Sequence, residues 1–156
     1  MLSLAIPLAL SNLVHAATTI PNPDPAANNE WFSGDRGGAI ALNSDSSVAL
    51  IGAYGKTSSR GIAYFFDPSA GALLGQLIAS NPAANDSFGW SVALNSSTGL
   101  VGAFNKAGGG LAYLFDLSSG VASATQITML KGSDTAAGDV FGWTVALNDS
   151  YALIGA

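Results

Sequence analysis

Phe88-Gly89-Trp90-Ser91-Val92-Ala93-Leu94-Asn95 returns as Phe141-Gly142-Trp143-Thr144-Val145-Ala146-Leu147-Asn148, with seven of eight positions identical. Each copy is followed closely by a Gly-Ala pair, Gly102-Ala103 and Gly155-Ala156. A chain that repeats itself in register builds the same supersecondary unit several times. One such unit cannot bury its own apolar surface, so the units must stack on each other. A more divergent copy lies earlier, Gly37-Gly38-Ala39-Ile40-Ala41-Leu42-Asn43, with Gly52-Ala53 behind it. From Asn43 to Asn95 is 52 residues, from Asn95 to Asn148 is 53, and Ala63-Tyr64-Phe65-Phe66-Asp67 returns after 49 as Ala112-Tyr113-Leu114-Phe115-Asp116. A period of about 50 residues suits a four-stranded blade.

The strand signals fall in order within each unit. The first unit places strands near residues 37–43, 48–54, 61–67 and 74–79, and the second near 88–95, 99–104, 110–116 and 124–130. A third begins at Phe141 and reaches its second strand at Gly155-Ala156. Short segments rich in Asn, Ser, Gly and Asp join them into consecutive antiparallel hairpins. Asp67-Pro68-Ser69-Ala70-Gly71 and Asp116-Leu117-Ser118-Ser119-Gly120 open with Asp and close with Gly, as turns do. Leu100-Val101-Gly102-Ala103-Phe104 and Leu111-Ala112-Tyr113-Leu114-Phe115 show no polar alternation, so both faces of these sheets should be covered. The expected fold is all-β, with about two and a half propeller-type blades of four antiparallel strands and no helix after the N-terminal segment. Such an incomplete set either belongs to a longer protein or self-associates through its open edges.

Leu2 to Leu10 is apolar and Val14-His15-Ala16 has the small-x-small pattern of a signal-peptidase site, so residues 1–16 read as a secretory signal peptide cleaved before Ala17. Residues 17–30 are rich in Pro, Asn and Ala and read as a linker, leaving 31–156 for the repeats. The apolar stretch is too short and too interrupted for a membrane span. The implied location is secreted, at the cell surface or periplasmic. A net charge of −5 with no basic patch argues against nucleic acid, and zero cysteines remove disulfides as a source of stability.

Phe-Gly, then Ser/Thr-Val-Ala, then Gly-Ala, then Gly-x-Ala-Tyr-x-Phe-Asp resembles the FG-GAP repeat of integrin alpha-subunit propellers and many exported bacterial proteins. The resemblance covers residues 31 to 156 and implies a β-propeller that presents loops to a ligand. The chain departs from the family pattern at Arg36-Gly37 in the first copy, and at Tyr54 and Phe104, which stand where the family has Pro. Where integrin-like copies carry an Asp-rich calcium loop, this chain has Asn95-Ser96-Ser97-Thr98 and Asn148-Asp149-Ser150. Asn43-Ser44-Asp45-Ser46-Ser47 offers oxygens at alternate positions but one carboxylate, a low charge for Ca²⁺, and reads as a polar hairpin turn. No metal site and no cofactor are expected.

The sole histidine, His15, falls in the leader and Glu30 is the sole glutamate, so acid–base chemistry rests on aspartates. Asp67 with Asp116, and Asp86 with Asp139, recur at turn positions, and a feature present in every copy serves the architecture. No catalytic residue is assigned, and the chain is not expected to be an enzyme. Trp90 and Trp143 could stack on sugars or prolines, but their recurrence favours packing between blades. Gly108-Gly109-Gly110 has no following helix and reads as a hairpin connection rather than a phosphate loop. The expected function is an exported binding or adhesion scaffold for protein or glycan, its variable loops being Tyr54 to Arg60 and Phe104 to Gly109. The alternative is a set of non-catalytic blades in a larger secreted hydrolase-like enzyme.

Overall fold

The structure, a computed structural model, describes Ile20 and residues 39–156. The signal peptide at 1–16, the rest of the linker at 17–30 and the start of the repeats at 31–38 lie outside the described residues. Ten strands follow in chain order: β1 Ile40–Leu42, β2 Ala49–Ala53, β3 Ile62–Phe66 and β4 Leu73–Leu77; β5 Ser91–Leu94, β6 Thr98–Ala103, β7 Leu111–Asp116 and β8 Thr125–Leu130; then β9 Thr144–Leu147 and β10 Ala152–Gly155. They form two four-stranded sheets, β1-β2-β3-β4 and β5-β6-β7-β8, and a two-stranded sheet of β9 and β10, antiparallel throughout and with every neighbour consecutive in sequence. These are partial propeller-type blades in a set that does not close into a ring.

The unalternating strands of the second sheet bury both faces because that sheet lies between the other two. Leu50, Phe65 and Leu77 of the first unit meet Val101, Tyr113 and Phe115 of the second in one core. On the far side of the second sheet, Leu100 and Ala112 meet Val145, Leu147 and Ile154 of the third. The first strands of successive units lie side by side, β1 by β5 and β5 by β9. Each fully buried Leu, Val or Phe contributes about 1.5–3 kcal/mol, so the interfaces between sheets carry the apolar energy that one sheet cannot supply alone.

The strand expected to open at Phe88 opens instead at Ser91. Phe88, Gly89 and Trp90 form a turn laid against the preceding unit. The Phe88 amide donates to the Arg60 carbonyl at 3.1 Å and the Phe141 amide to the Gly109 carbonyl at 2.7 Å. Gly89 and Gly142 hold φ of 89° and 90°, a region that favours glycine. A Cβ on Gly52 would stand 1.8 Å from the Gly89 carbonyl oxygen, and one on Gly102 would stand 2.1 Å from that of Gly142. The Phe-Gly of one unit therefore sits on the Gly-Ala glycine of the unit before it, which is why both glycines recur.

The expectation of no helix needs correction at two single turns, Lys56–Ser59 and Val121–Ser123. In the first, Thr57 and Ser58 have left-handed φ of 55° and 59°, so the turn is a loop wound against the helical hand. Its carbonyls serve the chain that leads to the next unit: Asn85 donates to the Ser58 carbonyl at 3.1 Å and Ser87 to that of Ser59 at 2.8 Å.

Candidate functional site at the tryptophan end

Antiparallel order puts the β1–β2, β3–β4, β5–β6, β7–β8 and β9–β10 turns at one end of the stack. The β2–β3 and β6–β7 loops, the connectors between units and the Phe-Gly turns lie at the other. The hairpin end is closed on itself. Asn43 Oδ1 accepts from the Val48 amide, Asn95 Oδ1 from the Ser97 and Thr98 amides, and Asn148 Oδ1 from the Ser150 and Tyr151 amides, all at 2.7–3.0 Å. Neighbouring turns also meet, Ser44 with Ser96 through their hydroxyls and Asn95 Nδ2 donating to the Asn148 carbonyl. A 300 Å³ groove runs between the second and third hairpins, past Asn95, Asn148, Asp149 and Tyr151. Its asparagine acceptors are already taken up by the turns they cap.

The aspartates are distributed in the same way. At Asp67 the Ser69 hydroxyl, with the Ala70 and Ser69 amides, holds the carboxyl below the ordinary carboxylate range. The Ser118 amide does the same for Asp116 and the Ser47 hydroxyl for Asp45. Asp45 Oδ1 accepts from the Ser47 amide at 2.9 Å, and Asn43 Nδ2 donates to the Ser47 hydroxyl, so these two oxygens are engaged within the turn. Among the described residues no three His, Cys, Asp or Glu side chains gather as a metal-sized cluster.

The opposite end carries a ladder of aromatic rings across three units. Trp90 packs on Tyr54 of the preceding unit at 4.9 Å between ring centroids, on Phe104 at 4.6 Å and on Trp143 of the next unit at 4.8 Å; Phe104 and Trp143 are 4.8 Å apart. The rings are tilted by 49–74° to each other, so edges meet faces and the tryptophans pack between units. Trp143 remains 38 % exposed. Beside it is a groove of 180 Å³ lined by Phe104 to Gly109 from one side and by Ala137, Gly138 and Val140 from the other. One of the two loops read as variable thus forms a wall of this groove. Gly108, Gly109 and Gly110, with φ of 94–104°, shape that wall as a connection between strands.

Lys106, which lines the groove, also belongs to a polar cluster with the connector between the first two units, one that the sequence did not single out. Lys106 Nζ pairs with Asp86 Oδ2 at 2.6 Å, the side chains only 12 % and 5 % exposed, and donates also to the Asn81 carbonyl. Tyr113 donates its hydroxyl to Asn81 Oδ1 at 2.8 Å, and Asp86 Oδ2 accepts from the Ala83 amide at 2.7 Å. Burial, and then the Asp86 charge, push the Tyr113 hydroxyl up to about 12. Asp86 therefore joins a turn to a lysine, whereas its counterpart Asp139 caps the Ala136 amide at an exposed site. A signal was present in the sequence: Lys56 and Lys106 each stand two residues beyond the aromatic that follows Gly-Ala, in a chain with five basic residues. Lys56 too is buried.

The two variable loops, the ladder and the groove share one end, whereas the turn aspartates are spread over both. Comparison with protein families matches residues 73–115 and 124–156 to a family described as FG-GAP repeat. Each matched segment starts at or beside the outermost strand of one sheet and runs into the first strands of the next, so the family repeat is shifted by one strand from the sheets. Comparison with curated proteins gives no match. No helix among the described residues is long and apolar enough to cross a membrane.

Proposed function

The chain is an FG-GAP repeat protein, with repeats at residues 73–115 and 124–156, and on that premise we propose that it is the binding scaffold of an exported protein, holding a protein or glycan ligand at its tryptophan end. The observation that carries this reading is the position of the Phe104–Gly109 loop, which differs in sequence from Tyr54–Arg60 yet lines a groove beside the ladder. Stacked sheets fix the backbone on either side of such loops, which frees their sequences to vary with the ligand. A half-exposed tryptophan supplies apolar contact area with little rotamer entropy to lose. Among the described residues, Asp45, Asp67 and Asp116 are each engaged by the amides of their own turns, which fits a scaffold role for them.

The test is a screen of the chain against glycan and matrix-protein arrays beside a general hydrolase panel. A ligand found there should bind the Trp143→Ala variant at least about tenfold more weakly. Exchanging the Phe104–Gly109 loop for the Tyr54–Arg60 sequence should change which ligands are held. Turnover that survives purification and is lost with a single Asp substitution would overturn the reading. Export is tested separately, by mass spectrometry of protein from the medium or periplasm, where the expected N-terminus is Ala17.

A further inference from the structure

The face of the first unit that looks away from the second is made by Ala49, Ile51 and Ala53 on β2 and by Tyr64 and Phe66 on β3, none more than 5 % exposed. The second unit shows what such a face is built to receive. Its counterparts Val101, Ala103, Tyr113 and Phe115 are buried against Leu50, Phe65 and Leu77 of the unit before it. No sheet precedes the first among the described residues. Among the described residues, the one from ahead of the repeats that packs on this face is Ile20.

We propose that Ile20 is a plug: its side chain takes the seat that a preceding unit's aliphatic side chain takes elsewhere in the stack, so that the chain caps its own docking face. The chemistry fits the seat. Three small or aliphatic residues of β2 form its floor and two aromatic residues of β3 lie beside them, an apolar surface that accepts a branched aliphatic side chain and rejects a charge. An apolar unit face left bare attracts another copy of itself, and a branched aliphatic side chain seated on it removes that surface from water. The register supports the assignment, since Ala53 and Tyr64 on this face correspond to Ala103 and Tyr113, which the first unit covers.

The experiment compares the full chain with its Ile20→Asp and Ile20→Val variants by hydrogen exchange resolved by segment. With Ile20→Asp, exchange across Ala49–Ala53 and Ile62–Phe66 should rise about tenfold or more, while Thr98–Ala103 and Leu111–Asp116 keep their protection. Ile20→Val should stay within about threefold of the parent, since one methylene is lost and the seat remains filled. Unchanged exchange in the first unit of the Asp variant would overturn the plug. So would loosening spread equally over both units, which would show a general destabilisation in place of a local cap.

Discussion

Gly102 and Gly120 are the same residue type, both in this repeat, and answer to different constraints. A Cβ on Gly102 would stand 2.1 Å from the Gly142 carbonyl oxygen and 2.2 Å from the Ser91 hydroxyl, whereas one on Gly120 meets nothing within 4 Å and only its φ of 93° is strained. Gly102→Ala should therefore cost about 3 kcal/mol or more, by overpacking against backbone. Gly120→Ala should cost about 1–3 kcal/mol from the backbone conformation alone, since its φ of 93° and ψ of 153° lie in a region essentially confined to glycine, and urea denaturation of the two variants measures the difference. Tyr113 gives a pH prediction. Its hydroxyl ionises near 10 in the unfolded chain and at about 12 in the fold, so its contribution is whole below pH 10 and is lost as pH rises from 10 to 12. Melting temperature against pH should fall over that window in the parent, and Tyr113→Phe should flatten the fall while costing about 1 kcal/mol at neutral pH through the lost bond to Asn81. On the acid side the sign reverses: Asp45, Asp67 and Asp116 have lowered values, so their turns add stability above the ordinary carboxylate range and lose it as pH drops through their folded values.

At the scale of elements, the connector between the first two units is held from both sides. Its Asn85, Ser87 and Phe88 amides donate to the Ser58, Ser59 and Arg60 carbonyls of the first unit's β2–β3 loop, while Lys106, Asn105 and Tyr113 of the second bind its Asn81, Asn85 and Asp86. Removing one partner of a buried ion pair leaves an uncompensated charge, so Lys106→Met should cost about 3–5 kcal/mol. Asp86→Asn in the same chain should recover part of that loss, and a double-mutant cycle in thermal or chemical denaturation gives the coupling. The strands themselves were legible from composition: β2, β3, β6, β7 and β8 begin and end within one residue of the positions read from apolar runs and turn residues. The element that differed was the Phe-Gly turn. Phe88 looks like the first residue of a strand because it is apolar and adjoins one, but its amide pairs with the previous unit and Gly89 turns the chain before β5 begins.

At the scale of the whole molecule, the outer strand β8 carries no charge and exposes Ile127 and Met129 at 56 % and 45 %. Uncharged edges of this kind pair with other edges. The chain should sediment faster with rising concentration, and Ile127→Lys should weaken that dependence; a concentration-independent monomer in the parent would refute it. The candidate site is a property of this scale too. Trp90 and Trp143 stood out in the sequence, and their packing between units followed from recurrence. The groove beside them did not, because it needs a loop of one unit set against the connector to the next.

The sequence by itself determined that the chain is a repeat of four-stranded antiparallel units, since strand length, turn chemistry and period are local properties written within each copy. It determined also that the inner strands of the first two sheets are covered on both faces, because those strands do not alternate. Only the tertiary structure decided which surfaces do the covering. The pairing of Gly89 with Gly52, the ladder from Tyr54 to Trp143, the ion pair of Lys106 with Asp86 and the seat of Ile20 join residues 20 to 89 positions apart. Such pairings depend on how far one sheet is rotated and displaced against the next, a quantity set by side-chain packing across the interface and not by the spacing of residues along the chain.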